Sequence, residues 1–312
     1  MQQYDIIIFG DTCVDLIING SDVVPQFGQV EKLVDNYTLE LGGSCCIFAA
    51  QAAKLGLRVG VLGRVGDDAF GRLVIQRLQE AGADTRHMLV DPTLKTGLTI
   101  HLTQPNDRAM LTHLGSLNAL TPADVDDSFL ASARHLHYGS LFLHTGLLPQ
   151  WGSILQRAKK LGLSISLDTN WDPDERWDSG LNEAFPLVDI FLPNEQEAIR
   201  IAHTSSLADA ISTLGKKVSI LALKQGEDGA SVYEATQSSR CTVEPAPAGG
   251  DGIGAGDSFD AGFVAAWLRG LPLAQCLEVA CMCGRSVAGH IGGFRGQPHA
   301  EDIPLLRDQG RV

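Results

Sequence analysis

Short apolar runs alternate with stretches whose apolar residues recur every three or four positions through most of this 312-residue chain. Ile6-Ile7-Ile8-Phe9 is continuously apolar, the pattern of a strand buried on both faces of a parallel sheet. Val59-Gly60-Val61-Leu62-Gly63 reads as the next short buried strand, after an Ala-rich helix over residues 48–55 that Gly56 closes. The segment Gly63 to Gly71 leads into an amphipathic helix ending at Gly82. From Leu120 onward helix and strand alternate, with strands expected at residues 135–138, 163–167, 188–192 and 218–223. Thr121-Pro122-Ala123-Asp124 reads as a helix N-cap with proline at the first helical position. Residues 230–233 and 240–247 add two more strands. This rhythm predicts an α/β fold: a doubly wound, mainly parallel sheet with helices on both faces and ligands beyond the strand C-termini.

Two segments break the rhythm. Residues 96–102 and 109–113 alternate apolar and polar positions, as strands with one wet face do, and Gln104-Pro105-Asn106-Asp107 between them is a turn signal. Together with the mixed, non-helical residues 12–41 they predict a small separate sheet acting as a lid over the ligand. The whole chain, residues 1–312, then reads as one domain with a lid from about 12–41 and 96–115. The exposed edges of such a sheet could pair two subunits, so a homodimer through the lid is expected.

Composition narrows the function. With 24 basic against 37 acidic residues the net charge is −13, which argues against sequence-blind binding to nucleic acid or to anionic membrane. Local backbone dipoles can still hold a small anion. The first ten residues lack a basic leader and read as a strand, and no apolar run approaches the ~20 residues of a membrane span. Seven cysteines, mostly in apolar company (Cys45, Cys46, Cys281, Cys283), suggest reduced, buried thiols in a cytoplasmic protein. Cys281-Met282-Cys283 has no accompanying cluster with zinc spacing and reads as packing.

The candidate chemistry centres on residues 249–259, G-G-D-G-I-G-A-G-D-S-F, which opens into a helix marked by Phe259, Phe263 and Trp267. A glycine-rich turn feeding a helix start aims unpartnered N–H groups and the positive end of the helix dipole at one spot, an anion site. Asp257 falls in the first helical turn, where a carboxylate repels a phosphate unless it accepts a proton from a nucleophile. A turn with Asp257 as a cap explains the same residues. Asp15 follows the first strand in apolar company, as a ligand-facing acid or a loop acid. Gly42-Gly43 precede the Ala-rich helix and permit close approach of a ligand to backbone. Asn194 and Glu197, three apart at a strand end, suit a hydrated Mg2+ bridging phosphates, or a capping box, or both. Lys224 to Gly229 turn one strand into the next. Gly250-x-Gly252-x-x-Ala255 also fits a dinucleotide fingerprint, but no further β-α-β unit follows, and no P-loop is present.

Assembled, these motifs resemble the PfkB (ribokinase-like) family of carbohydrate kinases over nearly the whole chain. Asp251 to Phe259 is similar to the family's D-T-x-G-A-G-D-x-F, with Gly252 where threonine is common. Gly42-Gly43 with the Ala-rich helix, Gly63 to Gly71, and Asn194-x-x-Glu197 match its other motifs in order. The resemblance implies an ATP-dependent kinase acting on a hydroxyl, expected to be primary, of a sugar or sugar derivative. It implies Asp257 as the catalytic base, with Gly254, Ala255 and Gly256 supplying the anion hole. Asp15, Gly42 and Gly43 would hold the sugar. Asn194, Lys224, Gly226 and Gly229 would serve the nucleotide. Glu197 would act on Mg2+ through water, and Asp251 would neighbour a monovalent cation such as K+. Three departures stand out. Ile47 occupies the position where an asparagine commonly touches the sugar, so a hydroxyl there would go unpaired. Asn170-Trp171-Asp172 lacks an arginine that some members carry. Residues 291–296 resemble nucleoside-kinase-like members. The alternatives are therefore a nucleoside kinase of the same family or a non-catalytic sugar- or nucleotide-binding regulator.

Overall fold

The computed structural model describes residues 2–104 and 107–307. Its strands are β1 (Tyr4–Phe9), β2 (Cys13–Asn19), β3 (Asn36–Gly42), β4 (Val59–Leu62), β5 (Arg64–Gly66), β6 (Leu89–Asp91), β7 (Gly97–Gln104), β8 (Asp107–His113), β9 (Ala133–Tyr138), β10 (Ser164–Leu167), β11 (Ile190–Phe191), β12 (Ile220–Lys224), β13 (Ala230–Glu234) and β14 (Gln237–Cys241). The helices are α1 (Ser44–Lys54), α2 (Ala69–Ala81), α3 (Asp127–Ala131), α4 (Trp151–Lys160), α5 (Leu181–Ala184), α6 (Glu195–Ile201), α7 (Leu207–Leu214), α8 (Ala255–Leu268), α9 (Leu273–Ala288) and α10 (Pro304–Arg307).

Eight strands form the main sheet in the order β14-β13-β12-β11-β10-β9-β1-β4. Pairing is parallel from β4 to β12, and the last two strands turn back antiparallel. Successive residues of β1 point to opposite sides, so Ile6 and Ile8 enter one core while Ile7 and Phe9 enter the other. The first core is closed by α1, α2, α8 and α9, the second by α3 to α7. Helices therefore cover both faces, as the alternation of patterns required.

The central strands also carry polar side chains. His135 shares hydrogen bonds with Ser164 (2.7 Å) and Ser166 (2.8 Å), and His137 reaches Ser166 at 2.8 Å. Burial holds both rings neutral by pushing their pKa values down, to about 3 for His135.

A second sheet, β3-β2-β7-β8, is built from residues 13–19, 36–42, 97–104 and 107–113, and a two-stranded pair joins β5 to β6. The turn expected at Pro105-Asn106 lies outside the described residues. Glu40 of β3 anchors this sheet to the body of the protein. Its buried carboxylate takes Arg77 Nε of α2 at 2.7 Å and Arg295 Nε at 3.0 Å.

Some boundaries differ from the sequence pattern for identifiable reasons. Thr121 does not start a helix. Its N–H and hydroxyl both bond the Asp124 carboxylate at 2.8 Å to close a turn, and α3 starts only after Asp126, which caps Phe129 N–H. The last strand stops at Cys241, and residues 242–247, with two prolines, run without ladder bonds. Helix α1 begins four residues earlier than the apolar pattern indicates, because Asp11 bonds the Ser44 N–H (2.8 Å) and Cys45 N–H (3.0 Å) from outside the helix.

Replacing Glu40 with Ala should destabilise the protein by about 1–3 kcal/mol, below the ~3–5 kcal/mol of a fully buried pair because both arginines reach solvent. Urea denaturation measures this directly, and an unchanged midpoint would remove Glu40 as an anchor.

Candidate active site

The C-terminal ends of β10 and β12, the loop before α6 and the first turn of α8 meet at one place. Lys224, the last residue of β12, is almost buried. Its ammonium lies 3.2 Å from Asp168, just past β10, and 3.0 Å from Asp260 of α8. Above it, a Cβ added to Gly256 would come 3.7 Å from the Lys224 nitrogen. Glu197 of α6 is 4% exposed and forms the expected capping box with Asn194, its Oε2 accepting the Asn194 N–H at 2.8 Å. Asn194 is bridged in register to Lys224.

Electrostatics make this cluster unusual. One ammonium faces the carboxylates of Asp168, Glu197, Asp257 and Asp260, too few positive charges to keep all four ionised. Burial, reinforced by Asp168, pushes Asp257 up to about 7, against the pull of Lys224 and a hydrogen bond from Ser44. Burial and Asp168 likewise push Glu197 up to about 7. Asp260 is raised well above the usual carboxylate range, while the surrounding acids raise Lys224. A divalent cation beside Glu197 and Asp168 would relieve the imbalance, so these acids fit Mg2+ by charge and by their hard oxygen donors.

The loop before α8 has the geometry of an anion site. Gly254 sits at φ 73° as the N-cap, and the helix follows at once. The amides of Gly254, Gly256 and Asp257 have no hydrogen-bond partner among the described residues, whereas the Ala255 N–H reaches Gly252 O at 3.3 Å. Of the expected set Gly254, Ala255 and Gly256, the Ala255 amide is therefore engaged, while those of Gly254, Gly256 and also Asp257 are open to an anion. A Cβ on Gly254 would meet Gly293 Cα at 2.6 Å and Ile47 Cγ2 at 3.0 Å. Ile47, 3% exposed, therefore fills the space between the Gly254 and Gly293 backbones, and its side chain is spent on the underside of the loop. Asp251 does similar work through its carboxylate, which accepts the Ile253 N–H (3.0 Å) and the Gly292 N–H (3.1 Å).

Facing the loop is a polar wall that joins α1 to the second sheet. Asp15 is 5% exposed, with His101 Nε2 of β7 at 3.2 Å, so it is neither a loop acid nor isolated. Burial raises its pKa against the pull of His101, and Asp11 and Asp251 add to the rise. A Cβ on Gly42 would land on the Asp15 carboxylate, and one on Gly43 would come 2.7 Å from Asp11 O. Asn170, at φ 54°, donates to Ser44 Oγ (2.6 Å) and Ser140 Oγ (2.8 Å). Sequence reasoning missed Ser44, Ser140 and Asn170 as one group, because no periodicity links residues this far apart.

The expected nucleotide residues divide. Asn194 and Lys224 point into the acid cluster, Lys224 as an ion-paired support rather than a free groove lysine. Gly229, at φ 89°, packs where a Cβ would meet Cys241. Gly226 has nothing within 4 Å of its Cβ position. On the far side of Cys241 lies a cavity of about 540 Å³ lined by Val243, Pro247, Cys281, Arg285 and His290 among others. No motif marked it, because its walls come from β14, α9 and the chain's end. Cys281 and Cys283 are buried in α9, the packing role expected of them. The dinucleotide reading fails on the fold: no strand leads into residues 250–255, and the helix after them is followed by another helix.

Comparison with known proteins agrees with this geometry. A family model described as pfkB family carbohydrate kinase matches residues 3–300. The chain is 31% identical over 268 residues to an ATP-dependent ribose-1-phosphate kinase of Halopiger xanaduensis, covering 84% of each. It is 26% identical over 301 residues to a 5-dehydro-2-deoxygluconokinase of Geobacillus thermodenitrificans, covering 88% of this chain and 84% of that one. The structure of an E. coli chain assigned to ribokinase II, in complex with ATP and Mg2+, superposes with a TM-score of 0.85 at 24% identity, covering 98% and 99%.

The raised pKa of Asp257 has a stability consequence. Its folded value near 7 exceeds the ordinary aspartate value of 3.8, so the stability it contributes below pH ~4 is lost as pH rises to ~7. Asp257→Asn should therefore stabilise the protein by about 1–4 kcal/mol above pH 7, with the gain vanishing near pH 4. Melting curves across that range check it. A pH-independent difference would mean Asp257 ionises normally.

Proposed function

The chain belongs to the pfkB family of carbohydrate kinases, and from that membership we propose that Asp257 is its general base and the α8 amides its anion hole. The carrying observation is that three unpartnered amides and the Asp257 carboxylate share one helix start. Asp257 takes the proton of a substrate hydroxyl, expected to be primary, as the oxygen attacks the γ-phosphoryl of ATP; the bond from the γ-phosphorus to the β–γ bridging oxygen breaks and ADP leaves. The amides of Gly254, Gly256 and Asp257 meet the charge on the transferring group, and Lys224 holds α8 at the strand ends. Catalysis here is positioning and electrostatics. Glu197, with Asp168 beside it, would hold Mg2+ through water, which would neutralise phosphate charge. Asp251 accepts two amides and keeps lone-pair capacity on Oδ2, so it would still neighbour a monovalent cation such as K+.

Asp15, Gly42 and Gly43, with Ser44 and Asn170, form the sugar side. The cavity beyond Gly229 takes the nucleotide base, its lining next to the anion loop through Pro247 and His290. The second sheet is a lid within one domain: Arg108 of β8 already reaches Asp251 O at 3.4 Å across the site. Nothing in the site favours the non-catalytic regulator, and the choice between sugar and nucleoside rests on the substrate panel below.

All seven cysteines are free, which fits a reducing cytoplasm, and no helix among the described residues is long and apolar enough to cross a membrane. The outer lid face pairs Leu16 with Leu39 and Ile100, and Ile18 with Leu102, and it leaves Leu111 60% exposed. That face suits a second copy of the chain, giving a homodimer.

ATP consumption across sugars, sugar acids and nucleosides should identify at least one acceptor. With that acceptor Asp257→Asn should keep ATP affinity and lose ~10² to 10⁴ in kcat. In the wild type kcat/KM should fall tenfold per pH unit below about 7, the value to which Asp257 is raised. A mutant with near-normal turnover would remove Asp257 from this role. Light scattering should show a dimer that Leu102→Lys dissociates, and a monomeric wild type would refute the lid interface.

A further inference from the structure

Behind the sugar side, Asp11, Cys45 and His144 bring a carboxylate oxygen, a thiol sulfur and an imidazole nitrogen within 4.8 Å of one another. Each is at most 2% exposed. They come from three places in the chain: the end of β1, the first turn of α1, and the loop after β9. Neither Asp257 chemistry nor nucleotide binding uses any of the three.

His144 is the telling member. Both of its ring nitrogens are buried without a hydrogen-bond partner, and Nε2 faces Asp11 Oδ1 at 3.6 Å, too far for a hydrogen bond. Among the described residues, Asp11 Oδ1 accepts only the Cys45 N–H (3.0 Å), while Oδ2 accepts the Ser44 N–H (2.8 Å) and the Ser140 hydroxyl (3.3 Å). Oδ1 thus keeps a lone pair for a further partner. The Cys45 thiol makes only long contacts, to Phe9 O (3.6 Å) and Gly139 O (3.8 Å). Glycine at position 10 keeps the space clear, since a Cβ there would lie 2.6 Å from Cys45 Sγ and 2.7 Å from His144 Nε2.

We propose that Asp11, Cys45 and His144 form a binding site for a divalent cation of the zinc class. Sulfur, imidazole and carboxylate together suit Zn2+ or Co2+, whereas Mg2+ takes oxygen donors. A dication with one carboxylate, one thiolate and a neutral imidazole leaves the buried site electrically neutral, the thiol proton being released to solvent. Three protein ligands leave a fourth position open. The site adjoins Ser44, whose N–H bonds Asp11 at 2.8 Å and whose Oγ takes Asn170, so an occupied site should act on turnover.

The test titrates the chelator-treated full chain with Co2+ and then Zn2+. One equivalent of Co2+ should give a thiolate-to-cobalt charge-transfer band that Zn2+ removes. Cys45→Ser should lose the band, and His144→Asn should weaken binding at least ~10-fold, on the scale of disturbed ligand shells. Cys281→Ser, which alters a thiol far from the site, should keep both. If one of the first two variants misfolds, the other decides. No band in the wild type, or a band that Cys281→Ser alone abolishes, overturns the site. So does affinity unchanged in both Cys45→Ser and His144→Asn. None of these readouts depends on kinase activity. Should the chain prove active, Zn2+ should slow it and a chelator restore it.

Discussion

One buried ammonium holds the working end of this protein together. Lys224 joins the end of β12 to Asp168 after β10 and to Asp260 in α8, which fixes the first turn of that helix against the sheet. Removing Lys224 would leave two buried carboxylates facing each other without a counter-charge, a costly arrangement in a low-dielectric interior. The same lysine tempers the acid–base character above it. Burial, reinforced by the Asp168 carboxylate and only partly offset by Lys224, poises Asp257 and Glu197 near neutrality. A carboxylate with that pKa suits proton transfer from a hydroxyl, and acids starved of positive charge suit a metal–phosphate ligand.

The anion loop depends on a second constraint, close backbone contact. Gly254 and Gly293 approach so nearly that any Cβ on Gly254 would collide with Gly293, and Ile47 from α1 fills the remaining gap. That packing explains why an aliphatic residue can stand at position 47. It packs against the loop, and under the proposed function the polar contacts to substrate would fall to Asp15, Ser44 and Asn170 instead. Asp251 tightens the same structure by binding the Gly292 amide, tying the anion loop to the chain that follows α9.

The second sheet is joined to the body in two ways of different strength. Glu40 ties its base through buried bonds to Arg77 and Arg295. Across the site, Arg108 of β8 donates to Asp251 O at 3.4 Å.

The residue pattern alone determined the fold class, since continuous apolar runs alternating with helical periods leave few solutions besides a parallel sheet covered on both faces. It also located the glycine turn before α8 with Asp257 in its first helical turn, the Asn194–Glu197 cap and the separate sheet, because each is a local signature carried by neighbouring residues. Helix starts were less legible. The early start of α1 depends on Asp11, 33 positions upstream of Ser44, and the turn at Thr121 on how Asp124 folds back. Only the tertiary structure decided that Lys224 is a buried staple, that Ile47 is packing, that Asp15 meets His101, and that Asp11, Cys45 and His144 converge. Those facts are distances between residues far apart in the chain, and a linear pattern of apolar and polar positions records burial and period but not which distant side chains share a space.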